Sequence, residues 1–150
     1  MAGTPFAEVF DVFMTLQNDY KLIGLYNSSE SDFETYLEGW LIQAIEDFDI
    51  CGQSLGHTGG SFSETLTQKN INILAYLMKK RWLEKEVDNV LQINLHLQDK
   101  DFKTYSEAQN MGAKQERLKQ VKEELSQLLL DYEYKNNNWD DWFNGTFYEG

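Results

Sequence analysis

The chain has 150 residues and carries 25 acidic against 13 basic side chains, which gives a formal net charge of −12. A chain of this length can form one domain with a sizeable core, and its negative charge excludes nucleic-acid binding through a general electrostatic field. A single cysteine excludes an internal disulfide bond, and no apolar stretch reaches the roughly 18 to 20 residues that cross a bilayer.

The first predicted helix begins at Thr4-Pro5 and runs to about Gln17. The Thr4 hydroxyl can cap free backbone N–H groups, and Pro5 suits the first helical position because its missing N–H is no loss there. Phenylalanine and valine then recur at helical spacing, which predicts one apolar face. Residues 18–31 contain a glycine and the polar run NSSES, so they are predicted to be a connection with a turn of structure around KLIGLY.

The second predicted helix starts at a capping box formed by Ser31 and Glu34 and ends near Ile50. One of its faces is continuously apolar and the other is polar, which is typical of a helix that packs on a core. Cys51 ends this apolar helix and is predicted to be a small buried residue. The loop CGQSLGHTGGS follows, and its glycines predict a flexible segment without a regular element.

The third predicted helix starts at Ser63 or Thr67 and runs to Val87. Beyond it, apolar and polar residues alternate from Ile93 to Leu97, which predicts a short strand. The core predicted from the second and third helices consists of Trp40, Leu41, Ile45, Leu74, Met78 and Trp82.

A basic KKR run occupies residues 79–81 of the third helix. Such a run would indicate nucleic-acid binding in a basic protein, but here acidic residues follow at helical spacing. Lys80 is predicted to pair with Glu84, and Arg81 with Glu86. We therefore expect a solvated, locally paired face rather than a nucleic-acid site.

The fourth predicted helix begins around Ser106 and runs to about Tyr134. Its predicted inward-facing residues are Met111, Leu118, Val121, Leu125, Leu128, Leu129 and Tyr132. At about 1.5 Å per residue it approaches about 40 Å, so part of it should project or pack against a neighbour. Together the elements predict an all-α fold, a bundle of about four helices with long helices and extended loops. The expected organisation is a helical domain over residues 1–135 and an aromatic C-terminal tail over 136–150.

The sequence contains no recognisable catalytic or metal-binding motif. The glycine-containing loop lacks the preceding strand and the Lys-Ser/Thr ending of a phosphate-binding loop. His57 and His96 have no acidic residue or cysteine at ligand spacing, and Asp140 and Asp141 lie in the tail rather than on rigid elements. We therefore predict no enzyme activity, no catalytic residue, no metal site and no cofactor.

Three segments resemble the head-to-tail connector, or adaptor, proteins of tailed bacteriophages. In that family a helix rich in aromatic residues precedes a glycine-containing loop, a second long helix carries an ILAYLM-like core, and a DFKTYSEAQN-like stretch opens another long helix. The likeness covers roughly residues 30 to 130. The three segments are DFETYLEGWLIQAIEDFDICGQSL, LTQKNINILAYLMKKRWLEKEV and DKDFKTYSEAQNMGAKQERLKQVKEEL.

The resemblance implies a structural virion protein of the neck, made in the host bacterial cytoplasm, without catalysis and without a membrane. It implies a homo-oligomeric ring, commonly a dodecamer, that lies beneath the portal protein and extends the DNA channel towards a stopper or tail-completion protein. DNA would pass through without specific binding. Under this interpretation Asp99, Lys100, Asp101 and Phe102 form a loop that contacts a neighbouring subunit or the lower partner.

The acidity has two interpretations that composition leaves open. It can simply keep the protein soluble, or it can line a channel that does not retain a moving polyanion. An acidic protein that imitates DNA and binds a basic host partner is the alternative function, and it should be a monomer or dimer with strongly salt-dependent binding. The scarcity of histidines disfavours a small helical hydrolase.

The C-terminal sequence NNNWDDWFNGTFYEG is unusually aromatic for a chain end, which is commonly poorly ordered unless something ties it down. These rings either pack on the protein's own core or anchor an interface, as aromatic side chains often do. We expect the tail to dock on the portal or on an adjacent subunit. The residues concerned are Trp139, Trp142, Phe143, Phe147 and Tyr148.

Overall fold

The computed structural model describes the backbone of residues 3–17, 20–96 and 102–136, and the side chains within 3–17, 22–88 and 112–135. This part of the chain is mostly helical, with five helices and one two-stranded antiparallel sheet. In chain order the elements are α1 (Phe6–Leu16), α2 (Tyr20–Ser28), α3 (Glu30–Asp47), β1 (His57–Thr58), β2 (Ser61–Phe62), α4 (Gln68–His96) and α5 (Phe102–Asn136).

Helix α4 lies at the centre of the molecule, because α1, α3 and α5 all pack on it, whereas α2 packs on α3. Its side chains are accordingly buried on several sides, from Ile71 through Ile73 and Leu74 to Leu83. A helix surrounded by others is apolar on more than one face. The helical class is confirmed, but a bundle of about four helices is not, since the predicted connection before α3 contains the additional helix α2.

The hydrophobic core surrounds α4 and joins it to α1, α3 and α5. Four residues of the predicted core lie fully inside it: Leu41, Leu74, Met78 and Trp82. The other two, Trp40 and Ile45, are partly buried and pack against its edge. Cys51, expected to be buried, is also only partly buried at this edge.

The start of α3 differs from the predicted capping box. The cap is Ser29, whose Oγ accepts a hydrogen bond from the Asp32 N–H at 3.2 Å. Ser31 lies inside the helix, where its carbonyl oxygen accepts a hydrogen bond from the Thr35 hydroxyl. Each serine is followed three residues later by an acidic residue, as a capping box requires. The helix begins after the earlier serine, because α2 ends at Ser28 immediately before it.

Of the two predicted starts of α4, Ser63 and Thr67, the structure has the second, and the helix ends later than the predicted Val87. Thr67 caps it, because its Oγ1 accepts a hydrogen bond from the Asn70 N–H at 3.2 Å. The helix continues to His96, so the strand predicted from Ile93 is wrong within the described residues, and Leu97 lies outside them. Extending an existing helix adds one hydrogen bond per residue, which a short period-two pattern does not outweigh.

The N-terminal segment is joined to the loop after α3, and this changes the role of Thr4. The Thr4 Oγ1 accepts a hydrogen bond from the Leu66 N–H at 2.8 Å instead of capping α1. The backbone of Thr4 also bonds to Glu64 and Phe62, and the Phe6 N–H donates to the Gly60 carbonyl oxygen. These bonds tie the start of the chain to the connection between α3 and α4.

The loop predicted to be flexible contains the hairpin formed by β1 and β2. Its two turn residues, Gly59 and Gly60, have φ values of 59° and 81°, as the tightest two-residue hairpin turns require. The ring of Phe6 packs edge-on against Phe62 at 5.0 Å and against His57 at 5.4 Å. The hairpin is therefore part of the packing around the start of α1.

Replacing Gly3 with alanine should lower the free energy of unfolding by about 1 to 3 kcal/mol, the usual cost of overpacking. A Cβ at this position would overlap the carbonyl oxygen of Phe62, so the backbone bonds of the N-terminal segment must shift. Gly39→Ala is the matched control: nothing lies within 4 Å of its added Cβ, and alanine should stabilise α3 by about 0.4 to 1 kcal/mol. Urea unfolding measures both, and a stable Gly3→Ala variant would contradict the close approach.

Candidate interaction surfaces

Most of the interaction residues predicted from the sequence lie outside the described part of the structure. This applies to the five aromatic residues of the tail and to Asp99, Lys100 and Asp101. Phe102 is the first residue of α5, and its side chain is outside the described set. Their predicted contacts therefore stay predictions, and the surfaces that the structure does describe are formed by other residues.

The charge of the protein is distributed unevenly along the chain. Residues 1–67 hold eleven acidic side chains and one basic side chain, whereas residues 68–150 hold fourteen acidic and twelve basic. Almost all of the negative charge therefore belongs to the elements before α4. Counting the charges by segment would have located this asymmetry from the sequence.

Helix α3 presents three glutamates in one row, which we call the acidic row: Glu30, Glu34 and Glu38. They are spaced by four residues, so they lie next to one another on the helix surface, and all three are exposed. No cation among the described side chains pairs with them. Like charges at this spacing repel each other by about 0.2 to 0.5 kcal/mol per pair.

Aromatic and aliphatic side chains are exposed on α2 and α3. Ile23, Tyr26 and Tyr36 are 44%, 49% and 39% exposed. The ring of Tyr26 packs edge-on against Phe33 at 5.2 Å, and the ring of Tyr36 against Trp40 at 5.9 Å. These side chains add exposed apolar surface to α2 and α3.

Lysines of α4 and α5 form what we call the basic patch: Lys80, Lys119 and Lys122. Lys119 and Lys122 are exposed, and residues 112–122 of α5 contain four basic side chains and one acidic side chain. Lys80 and Lys122 lie on the rim of a cleft of about 510 Å³ between the two helices. Leu77 and Leu125 contribute apolar surface to this cleft.

The ion pairs around this cleft differ in part from the predicted ones. Lys80 Nζ lies 3.9 Å from Glu84, as predicted. Arg81 does not pair with Glu86 but donates two hydrogen bonds of 2.7 Å to Asp47 at the end of α3. The predicted partner Glu86 is instead bonded to Lys114 of α5 at 3.2 Å.

The Arg81–Asp47 pair should make the stability depend on acid. The hydrogen bonds from Arg81 lower the pKa of Asp47, and partial burial opposes this less strongly. Because the pKa of Asp47 is lower in the folded than in the unfolded state, the pair stabilises the fold at pH values above the unfolded-state pKa of about 3.9. This stability is lost as the pH falls through the folded-state pKa. Because both side chains are partly exposed, its size is about 1 kcal/mol or less.

We therefore expect Asp47→Asn to have a lower Tm than the wild type near neutral pH, with a difference that shrinks as the pH falls below about 4. Thermal unfolding followed by circular dichroism across this range measures it. Asp49→Asn, an exposed position two residues on, is the matched control. A Tm difference for Asp47→Asn that stays constant into acid would show that the pair adds no charge-dependent stability.

The opposite side of the α4–α5 contact also joins charged groups. Burial raises the pKa of Tyr76, and Glu124 raises it further through its charge and a hydrogen bond. Burial has the largest effect on Lys79 and lowers its pKa. The charge of Glu124 raises this pKa less strongly, and the charge of Arg117 lowers it least. These contacts help hold α5 on α4.

A polar network surrounds the start of α4. Gln53 Oε1 accepts hydrogen bonds from the Thr67 N–H at 2.9 Å and from Asn70 Nδ2 at 2.6 Å. Because the Thr67 N–H can donate only to an acceptor, the Gln53 atom that faces it is the oxygen Oε1. The Asn70 atom that contacts this oxygen must then be the nitrogen Nδ2, which fixes the orientation of the Asn70 amide. Its Oδ1 is buried without a hydrogen-bond partner among the described residues, next to a cavity of about 470 Å³ that Tyr132 and Lys135 help to line.

The end of α5 is fastened to the loop after α3 through Tyr132. Its hydroxyl accepts a hydrogen bond from the Gly52 N–H at 2.7 Å and lies 3.9 Å from Cys51 Sγ. Its ring packs edge-on against Phe48 at 5.2 Å. Tyr132 is buried, which confirms its predicted inward orientation.

Comparisons of the chain with protein families, with characterised sequences and with solved structures find no match. No described helix combines the length and the apolar character needed to span a membrane. Over the same residues, no three His, Cys, Asp or Glu side chains are grouped so that they could hold a metal ion. The described structure thus defines a mostly helical protein with exposed acidic, basic and apolar side chains on its helices.

Proposed function

We propose that this protein is a subunit of the head-to-tail connector of a tailed bacteriophage. In this role copies form a ring beneath the portal and extend the DNA channel towards a stopper or tail-completion protein. The resemblance of three segments to such connectors supports the proposal. The described structure adds surfaces that one copy leaves uncovered.

The observation that carries the proposal is the apolar surface that α5 leaves exposed. Between residues 112 and 135 Val121, Leu125 and Tyr132 are buried, and Leu118 and Leu129 are partly buried against the core. Leu130 and Tyr134, in contrast, are 62% and 51% exposed. The exposed side of α5 is therefore suited to a second chain.

The length of α5 supports the same conclusion. At about 1.5 Å per residue its 35 residues span about 52 Å. A compact domain of this size has a radius of gyration of about 15 Å, so α5 is longer than such a domain requires. Elongated subunits are suited to forming the wall of a channel.

The uneven charge gives the acidity a use in this proposal. Eleven of the acidic side chains precede α4, against one basic side chain. If other acids of these elements than Glu30, Glu34 and Glu38 line the channel, their charges repel the phosphates of passing DNA, so the DNA is not retained. Those three glutamates and the lysine-bearing helices would then lie away from the channel.

The direct test combines the purified protein with the portal protein of its own genome and images the complex by electron microscopy. We expect a ring of copies on one end of the portal. If the protein never joins the portal across a range of protein concentrations, the connector function is refuted.

A deletion of residues 136–150 tests the predicted role of the tail. We expect the truncated protein to keep its Tm and to lose attachment to the portal or to its neighbours, because the aromatic side chains would anchor that interface. Intact attachment together with a lower Tm would show that the tail packs on the protein's own core.

A protein that imitates DNA is the second candidate, and the acidic character of residues 1–67 favours it. Such a protein would expose its acids to a basic partner and would not need to form a ring. Size-exclusion chromatography with light scattering separates the two functions. A monomer or dimer that is unchanged by the portal favours imitation of DNA, whereas a ring favours the connector.

A further inference from the structure

No cation among the described side chains pairs with the acidic row on α3. Glu30, Glu34 and Glu38 repel one another at their spacing of four residues, and no described cation compensates them. Glutamate is not required at exposed helix positions, because many polar residues are tolerated there. A cationic surface on another chain would convert this repulsion into attraction.

The basic patch has the complementary character. Lys119 and Lys122 lie three residues apart on the exposed surface of α5, so they are neighbours on the helix. Lys122 and Lys80 line the cleft between α4 and α5, where Leu77 and Leu125 add apolar surface. Asp47 and Glu84 line the same cleft and Glu84 pairs with Lys80, so Lys119 and Lys122 carry most of the positive charge of the basic patch. A charged rim around an apolar centre is the usual anatomy of a protein interface.

The acidic row lies in the first half of α3, whereas the cleft beside the basic patch is lined by Asp47 at the other end of α3 and by residues of α4 and α5. One subunit therefore presents an acidic surface and a basic surface at separate places. Two different complementary surfaces allow head-to-tail association, which closes into a ring when the rotation between copies permits.

We propose that copies of this chain associate through the acidic row of one copy and the basic patch of the next. The pairing itself rests on the charges and exposure of these side chains. The closure of the associated copies into a ring rests on the proposed connector function. The occupant of each surface is thus a second copy of the same chain.

Salt should weaken this association strongly. Charges at the rim of an interface are screened over about 10 Å at 0.1 M ionic strength and over about 3 Å at 1 M. We expect the dissociation constant of self-association to rise about tenfold between about 0.05 and 0.5 M sodium chloride. Sedimentation velocity of the full chain measures this, and association that is insensitive to salt would contradict the proposal.

Charge reversal tests the pairing itself. The double variants Glu34→Lys with Glu38→Lys, and Lys119→Glu with Lys122→Glu, should each lose about tenfold or more in self-association because like charges then meet. An equimolar mixture of the two variants should recover the wild-type behaviour, because each reversed surface meets its reversed counterpart. A mixture that stays as weak as its components would overturn the pairing.

The matched control reverses two other exposed acids, Glu8 and Asp11 of α1, to lysine. This variant has the same change in net charge as the α3 variant but leaves both surfaces unaltered. We expect it to associate like the wild type. Equal loss in the control would show that net charge, rather than the proposed pairing, governs association. Far-UV circular dichroism and Tm establish that all three variants are folded.

A cross-linking experiment covers the case of weak association. Unlabelled chains are mixed with chains labelled with heavy nitrogen and treated with a carbodiimide, which joins a carboxylate to a lysine amine in direct contact. We expect peptides of mixed label that join residues 30–38 to residues 119–122. Their absence at high protein concentration, together with a monomeric wild type, would overturn the proposal.

These outcomes can be separated from the outcome for the connector function. Association that depends on both surfaces but gives no complex with the portal supports the pairing and refutes the connector. A ring on the portal that is indifferent to both charge-reversed variants supports the connector and refutes the pairing. A dimer in which both surfaces pair reciprocally supports the pairing and refutes its closure into a ring.

Discussion

Replacing Trp82 with alanine should lower the free energy of unfolding by about 3 to 5 kcal/mol. Trp82 is 2% exposed and is the largest of the fully buried side chains. It belongs to α4, on which α1, α3 and α5 pack, so its removal leaves a cavity in the centre of the core. Urea unfolding followed by far-UV circular dichroism measures the loss.

Trp40→Ala is the control for this prediction, because the same side chain is only partly buried there. A smaller loss is expected at this position, since less surface returns to water and no enclosed cavity forms. If Trp82→Ala does not fold, Trp82→Phe removes less volume and allows the measurement. Equal losses at Trp82 and Trp40 would contradict the central position of Trp82.

Replacing Tyr132 with phenylalanine should cost about 1 to 3 kcal/mol, the penalty for leaving a partly buried donor without its acceptor. The hydroxyl accepts the Gly52 N–H at 2.7 Å and so connects the end of α5 to the loop after α3. Tyr132→Ala should cost more, about 3 to 5 kcal/mol, because the contact with Phe48 is lost as well.

Tyr26→Phe is the control, since Tyr26 is 49% exposed and its ring contact with Phe33 does not need the hydroxyl. A change within about 0.5 kcal/mol is expected there. If Tyr132→Phe is no less stable than Tyr26→Phe, the hydrogen bond to Gly52 adds nothing to the docking of α5. A large loss of stability in Tyr132→Phe would also predict weaker self-association, because α5 carries Lys119 and Lys122 of the basic patch.

The helical pattern of apolar residues predicted several elements correctly. The phenylalanine-rich face of α1 is buried, and Thr67, one of the two predicted starts, caps α4. Of the residues predicted to face inward from α5, Val121, Leu125 and Tyr132 are buried, and Leu118 and Leu129 are partly buried. These features depend on residues three or four positions apart, which any helix places on one side. They could therefore be predicted before the partners of each helix were known.

The hydrogen bonds of individual polar side chains were predicted less well. The Thr4 hydroxyl bonds to Leu66, 62 residues away, and Arg81 bonds to Asp47, 34 residues away. Local spacing favoured a cap for Thr4 and a pair with Glu86 for Arg81, but a polar group bonds to whichever partner the packed chain brings close. The acidic row and the basic patch could not be predicted as surfaces from the sequence either. They are recognised only when the exposure of their side chains is known from the folded structure.

The residue pattern alone thus establishes that the chain is helical and acidic, and which side of each long helix is apolar. The folded arrangement adds which helix is central, which acids and lysines stay exposed and which polar groups meet across the core. The physical reason is that helical periodicity is a short-range property of the chain. Burial and charge pairing depend on contacts between segments that are distant in the sequence.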